Sequence, residues 1–116
     1  MTSTGLRKLA ASLLILTGVS HTALIAIYPP ADHVIAATLF GPPYFVLGVL
    51  QFWWPRIGVL WVATILPAVG GVLGIGHYFD HPNPFSIFHV VLDVIIVPIN
   101  ITLLIRERKA TAQNQI

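Results

Sequence analysis

Four apolar runs, separated by short loops that contain proline, constrain the fold of this chain more than any other feature. They cover residues 9–28, 34–54, 57–79 and 85–105. A helix needs roughly 20 apolar residues to cross the ~30 Å hydrocarbon core of a bilayer. Each run is long enough, and the sequence therefore predicts four transmembrane helices.

The composition agrees with a membrane protein of one domain, residues 1–116. The chain is 56% hydrophobic and 9% charged, whereas a typical soluble domain is about 25% charged. Loops this short make neighbouring helices antiparallel, so we predict an all-α, up-down bundle of four transmembrane helices in contact with lipid. The few cations form no broad basic patch, which argues against a nucleic-acid partner. The absence of cysteine excludes disulfides and thiolate metal sites.

The positions of the charged residues predict the orientation of the bundle. With four spans, both termini and the turn near Arg56 lie on one side of the membrane, and all six Lys and Arg residues lie there. By the positive-inside rule this side is cytoplasmic. We therefore predict an integral membrane protein with cytoplasmic N- and C-termini.

Glycine, proline and polar residues predict further details of the helices. Gly41-Pro42-Pro43 predicts a kink in the second span. Gly70 and Gly74 form a small-xxx-small pair, which favours close approach of a neighbouring helix. Residues 31–33 and the region around His81 are predicted to be loops, and residues 110–116 a frayed polar tail.

The fourth run carries its polar residues on one face. Ser86, His89, Asp93 and Asn100 are spaced by three, four and seven residues, which is helical spacing. A carboxylate in the middle of a span costs roughly 2.5–3.5 kcal/mol on insertion scales. We therefore expect Asp93 to face the bundle interior, within reach of His21 or His89. Asn100 and Gln51 are expected to bond between helices.

Several kinds of chemistry fit the histidines and Asp93. His21, His77, His89 and Asp93 are the candidate metal ligands, and imidazole with carboxylate suits Cu or Zn. Together with His33 and His81 at the outer surface, the same residues form a candidate proton relay. A b-type haem held by His21 and His89 is a weaker candidate, since no spacing in the chain demands it. The structural alternative is that these residues only fix helix packing, with Asp93 bonded to His21, Tyr44 or Tyr28 and His21 satisfied by Thr17.

The sequence leaves three functions open. The first is an accessory or structural subunit of a larger membrane-bound enzyme complex, with a metal or proton site in the outer half of the bundle. The second is a small membrane redox or metal protein, and the third is a proton-coupled small transporter that works as an oligomer. We do not expect a complete enzyme, because no cofactor fingerprint or activated nucleophile is present. Partner membrane subunits or further copies of the chain are the expected protein partners.

Overall fold

The computed structural model describes residues 1–114 and confirms the all-α bundle. These residues are 89% helical and contain no strand. The helices are α1 (Ser3–Ile27), α2 (Asp32–Leu39), α3 (Gly41–Trp53), α4 (Ile57–Asp80) and α5 (Pro84–Asn114). Helices α2 and α3 together form one span, which gives four spans long and apolar enough to cross a membrane.

Caps and prolines set the helix ends. The side chain of Thr2 accepts a 3.0 Å hydrogen bond from the backbone N–H of Gly5 and caps α1. Asn83 accepts one from the N–H of Ser86 at 2.9 Å and does the same for α5. Pro84 is the first residue of α5, where its missing N–H costs nothing.

The spans form a ring in which α1 packs against α3 and α5, and α4 packs against the same two helices. Helices α3 and α5 therefore lie diagonally across the bundle and run in the same direction. A core of buried side chains fills the centre, made of Leu14, Tyr44, Ala63, Leu92 and Ile96.

The predicted kink in the second span is present as a break at Phe40, between α2 and α3. Pro42 and Pro43 follow it and cannot donate the backbone hydrogen bonds that would continue the helix. The predicted loop at residues 31–33 was partly wrong, because α2 begins at Asp32 and includes His33. The end of α4 at Asp80, just before Pro82, agrees with the expected loop around His81.

Glycine brings the backbones of α1 and α3 into contact, whereas the predicted pair Gly70 and Gly74 lies against side chains of α3 and α5. A Cβ atom on Gly18 would lie 2.5 Å from the backbone nitrogen of Phe45, and one on Gly48 would lie 2.8 Å from the carbonyl oxygen of Ala11. Only glycine allows backbones this close. Gly70 instead makes room for the hydroxyl of Tyr44.

The predicted polar tail continues as helix. Helix α5 extends to Asn114 with exposed side chains beyond Ile105. Residues 115 and 116 lie outside the part of the chain that the structure describes.

A buried polar layer closes the half of the bundle nearer Arg56 and confirms the expected role of Asn100 and Gln51. Nε2 of Gln51 donates to Oδ1 of Asn100 at 2.8 Å, and Nδ2 of Asn100 donates to the carbonyl oxygen of Ala63 at 2.9 Å. That carbonyl lies four residues before Pro67, which has no N–H to offer it. Asn100 therefore satisfies an acceptor that proline leaves free within the helix.

Candidate functional site

A cavity of about 640 Å³ lies between the helices at the end of the bundle that carries Pro30 and Pro82. We call this end, predicted to be outside, the outer end, and the cavity the outer cavity. It extends from a mouth at Asn83 to a floor at Asp93. All five histidines of the chain line it: His21, His33, His77, His81 and His89.

The floor of the outer cavity is a hydrogen-bonded pair between α3 and α5. The hydroxyl of Tyr44 donates to Oδ1 of Asp93 at 3.0 Å. Asp93 is only 3% exposed, so the expectation that it faces the bundle interior and not lipid is correct. Within residues 1–114, Oδ2 of Asp93 has no hydrogen-bond partner. Of the partners that the sequence leaves open for Asp93, the structure gives the hydrogen bond to Tyr44.

The break in the second span fixes the position of His21. Nδ1 of His21 lies 2.9 Å from the carbonyl oxygen of Ala37, near the end of α2. A carbonyl oxygen only accepts, so this nitrogen carries the proton. The other nitrogen, Nε2, bonds to no residue among 1–114 and is free to accept a proton or a hydrogen bond.

His21 and His89 lie face to face beside the floor. Their ring centroids are 3.7 Å apart with planes inclined by 13°, and the ring of His21 also stacks on Tyr44 at 5.6 Å. Nε2 of His89 forms a 2.9 Å hydrogen bond with the hydroxyl of Ser20. Helices α1, α3 and α5 thus each contribute an aromatic ring to one stack.

A second group of imidazoles lies at the mouth. His33 stacks on His81 with centroids 4.0 Å apart, and His77 lies 5.5 Å from His33 and 5.3 Å from His81. Nδ1 of His77 lies 3.2 Å from the hydroxyl of Ser86.

The four residues predicted as ligands all line the outer cavity but do not form one ligand set. His21, His89 and Asp93 lie at the floor, and His77 belongs to the mouth. Within residues 1–114, no group of three or more His, Asp or Glu side chains is placed to hold a metal ion. The stacked faces of His21 and His89 also leave no space for a haem iron between their nitrogen atoms.

Two parts of this site were missed or undervalued at the level of sequence. His33 and His81 were assigned to loops, yet they complete the mouth. Tyr44 was only one of several candidate partners of Asp93. Tyr44 and Gln51 are seven residues apart in α3, and Asp93 and Asn100 are seven residues apart in α5. This equal spacing could have indicated that the two helices bond to each other twice.

Charge and polarity restrict what the outer cavity can accept. Among the described residues that line it, none is Lys or Arg, whereas Asp80 and Asp93 are carboxylic. Most of the wall is apolar or aromatic, including Leu24, Phe40 and Phe85. The cavity therefore favours a ligand with an apolar body and a cationic or hydrogen-bond-donating end.

Comparison with known proteins finds no relative. No protein-family model, no curated protein and no solved structure matches this chain.

Proposed function

We propose that this chain is a small integral-membrane carrier that binds an apolar organic cation in the outer cavity, in exchange for a proton on Asp93. The observation behind the proposal is the buried carboxylate on the cavity floor, with one oxygen held by Tyr44 and the other without a protein partner. This is the transport hypothesis that the sequence leaves open, with a ligand class added.

The exchange follows from the cost of a buried charge. A carboxylate in the membrane interior needs a proton or a cation to offset its desolvation. No Lys or Arg among the described lining residues can serve as that cation. A bound cation and a bound proton therefore compete for Asp93, and such competition is the basis of proton-coupled transport.

The size and wall of the cavity support an organic ligand rather than a bare metal ion. Pockets for small molecules typically measure about 300–1,000 Å³ and are largely apolar with a few polar groups. The outer cavity lies in this range. Aromatic rings such as Phe40 and Tyr44 also attract cations through their faces.

Passage to the inner side requires the inner half of the bundle to open. The layer of Gln51, Asn100 and Ala63 closes it in the conformation described. Pro67 and Pro98 interrupt the backbone bonding of α4 and α5 near this layer. In-helix prolines are the usual positions of kinks, and we propose that these helices bend there.

The test is a binding experiment that also counts protons. The full chain in neutral detergent is titrated with tetraphenylphosphonium in weakly buffered solution, and proton release is followed with a pH dye. We expect saturable binding with release of a proton at a pH where Asp93 is protonated. The uncharged triphenylphosphine oxide should bind at least about tenfold more weakly, since a lost charge interaction exceeds ~1.4 kcal/mol.

The matched control is Asp80→Asn, which removes a carboxyl group from the mouth of the same cavity. Asp93→Asn should abolish proton release and weaken tetraphenylphosphonium binding, whereas Asp80→Asn should keep proton release and weaken binding much less. Equal binding by the native chain and Asp93→Asn, or equal affinity for the uncharged probe, would refute the proposal. Reconstitution in liposomes with an imposed proton gradient then tests transport.

The accessory-subunit hypothesis is separate and stays a prediction. It requires a stable partner, which should co-purify with the chain in mild detergent. The two hypotheses can be distinguished, because a carrier should bind and move its ligand in the absence of any other protein, whereas an accessory subunit needs its partner.

A further inference from the structure

A second, smaller cavity of about 240 Å³ lies at the opposite, inner end of the bundle. It is formed where α1, α4 and α5 meet the end of α3. Its polar lining residues are Ser3, Thr4, Arg7, Gln51, Arg56 and Glu107. We call it the inner cavity. It has room for several water molecules, which is enough for a phosphate group with a small substituent.

Two buried polar atoms of residues that line this cavity have no partner within residues 1–114. Nε of Arg7 and Oε1 of Gln51 are buried without a hydrogen bond, and Gln51 as a whole is only 1% exposed. Arg7 and Glu107 line the same cavity, yet no ion pair joins them within residues 1–114. Buried polar groups are nearly always satisfied, so protein groups alone do not complete the hydrogen bonding in the wall of this cavity.

The second guanidinium group is held at the start of α4. Arg56 precedes the first residue of this helix and lies over the ring of Trp54, 4.3 Å from its centroid. The helix begins without a side-chain cap and without an acidic residue in its first turn. Its free N–H groups and positive dipole end favour an anion, and its residues Ile57 and Val59 line the cavity.

The charge of the lining matches a monoanion. Two guanidinium groups and one carboxylate leave a single net positive charge, and a phosphodiester carries a single negative charge. The carboxylate of Glu107 is then an acceptor for a hydroxyl or ammonium group on the same molecule. Arginine is suited to phosphate because its planar fork donates two parallel hydrogen bonds.

We propose that the inner cavity binds the phosphodiester headgroup of a membrane phospholipid, with Arg7 and Arg56 on the phosphate. Basic pockets between transmembrane helices on the cytoplasmic side are known sites for lipid headgroups. This site is independent of the outer cavity and of the function proposed for it. Free inorganic phosphate carries the same oxyanion chemistry and is the alternative source.

The experiment measures lipid retention by native mass spectrometry of the full chain released from neutral detergent. Dioleoyl phosphatidylglycerol, dioleoyl glycerol without phosphate, and inorganic phosphate are each titrated. Arg7→Gln and Arg56→Gln are compared with Lys109→Gln, which removes the same charge from an exposed position on α5 outside the inner cavity. Size-exclusion chromatography and circular dichroism check that each variant is folded.

We expect phosphatidylglycerol to bind the native chain and each of the two arginine variants to bind it about tenfold or more weakly. Lys109→Gln should change the affinity less than twofold. If a glutamine variant fails to fold, Arg7→Lys keeps the charge but loses the fork, and should still weaken binding. Equal affinity in the arginine and lysine variants, or equal retention of dioleoyl glycerol, would overturn the proposal. Arginine-dependent binding of inorganic phosphate alone would overturn the lipid assignment.

Discussion

The hydroxyl of Tyr44 donates a 3.0 Å hydrogen bond to Asp93 across the diagonal of the bundle. Two helical turns further along the same two helices, Gln51 donates to Asn100 at 2.8 Å. The first pair is the floor of the outer cavity, and the second closes the protein below it. These two polar layers fix the register of α3 against α5, although their backbones do not pack directly.

Removing the donor to Asp93 should destabilise the bundle. Tyr44→Phe keeps the ring but leaves the carboxyl group with no protein partner, which typically costs about 1–3 kcal/mol. The measurement is reversible unfolding in mixed detergent micelles. Tyr78→Phe is the control, because Tyr78 makes no side-chain hydrogen bond within residues 1–114. An equal free energy of unfolding in both variants would contradict the assigned bond.

Substitution of the floor residues separates a packing role from a chemical one. Asp93→Asn keeps the shape and the bond to Tyr44, so a packing role predicts nearly unchanged stability and function. Proton exchange predicts that function is lost in Asp93→Asn while the bundle still assembles. His89→Ala should also impair function under the chemical hypothesis. Unchanged function in both variants, with an unchanged metal content, would leave a structural role only.

Asn100 and Pro67 should show coupled effects on stability. Asn100→Leu removes the donor to Ala63 and the acceptor of Gln51, and should cost about 1–3 kcal/mol for each group left unsatisfied. Pro67→Ala supplies a backbone N–H for the Ala63 carbonyl. A double-mutant cycle should therefore show that Asn100→Leu costs less in the Pro67→Ala background. Simple additivity would argue against the shared acceptor.

Replacing a glycine at the α1–α3 contact should lower the free energy of unfolding of the bundle. Gly48→Ala places a Cβ atom 2.8 Å from the backbone of Ala11, which forces the two helices apart. We expect a loss of about 1–3 kcal/mol from overpacking. Gly76→Ala is the matched control, because nothing lies within 4 Å of its added Cβ. That change should be neutral or stabilising by up to about 1 kcal/mol, and equal losses in both would refute the close approach.

Cysteine labelling tests the orientation directly, because the chain has no native cysteine. Asn83→Cys should react with a membrane-impermeant maleimide added outside intact cells. Gln113→Cys, near the end of α5, should react only after the membrane is opened. Labelling of Asn83→Cys from the inner side alone would reverse the predicted topology.

The local pattern of the sequence determined the number of spans, the break before Pro42 and the polar face of α5. Hydropathy and proline act within one helix, and they need no knowledge of the neighbouring helices. The burial of Asp93 also followed from the sequence, because an ionisable group in lipid is too costly to face outwards. Orientation remains a prediction from the distribution of Lys and Arg.

Only the tertiary structure decided which residues meet. Apolar helix faces resemble one another, so the local pattern of the sequence does not reveal how α1, α3 and α4 are rotated in the ring. That rotation pairs Asp93 with Tyr44, stacks His21 on His89 and brings the backbones of α1 and α3 into contact at Gly18 and Gly48. It also brings Arg7 and Arg56, far apart in sequence, to one cavity. Contacts of this kind depend on the relative depth and rotation of whole helices, which only their packing together sets.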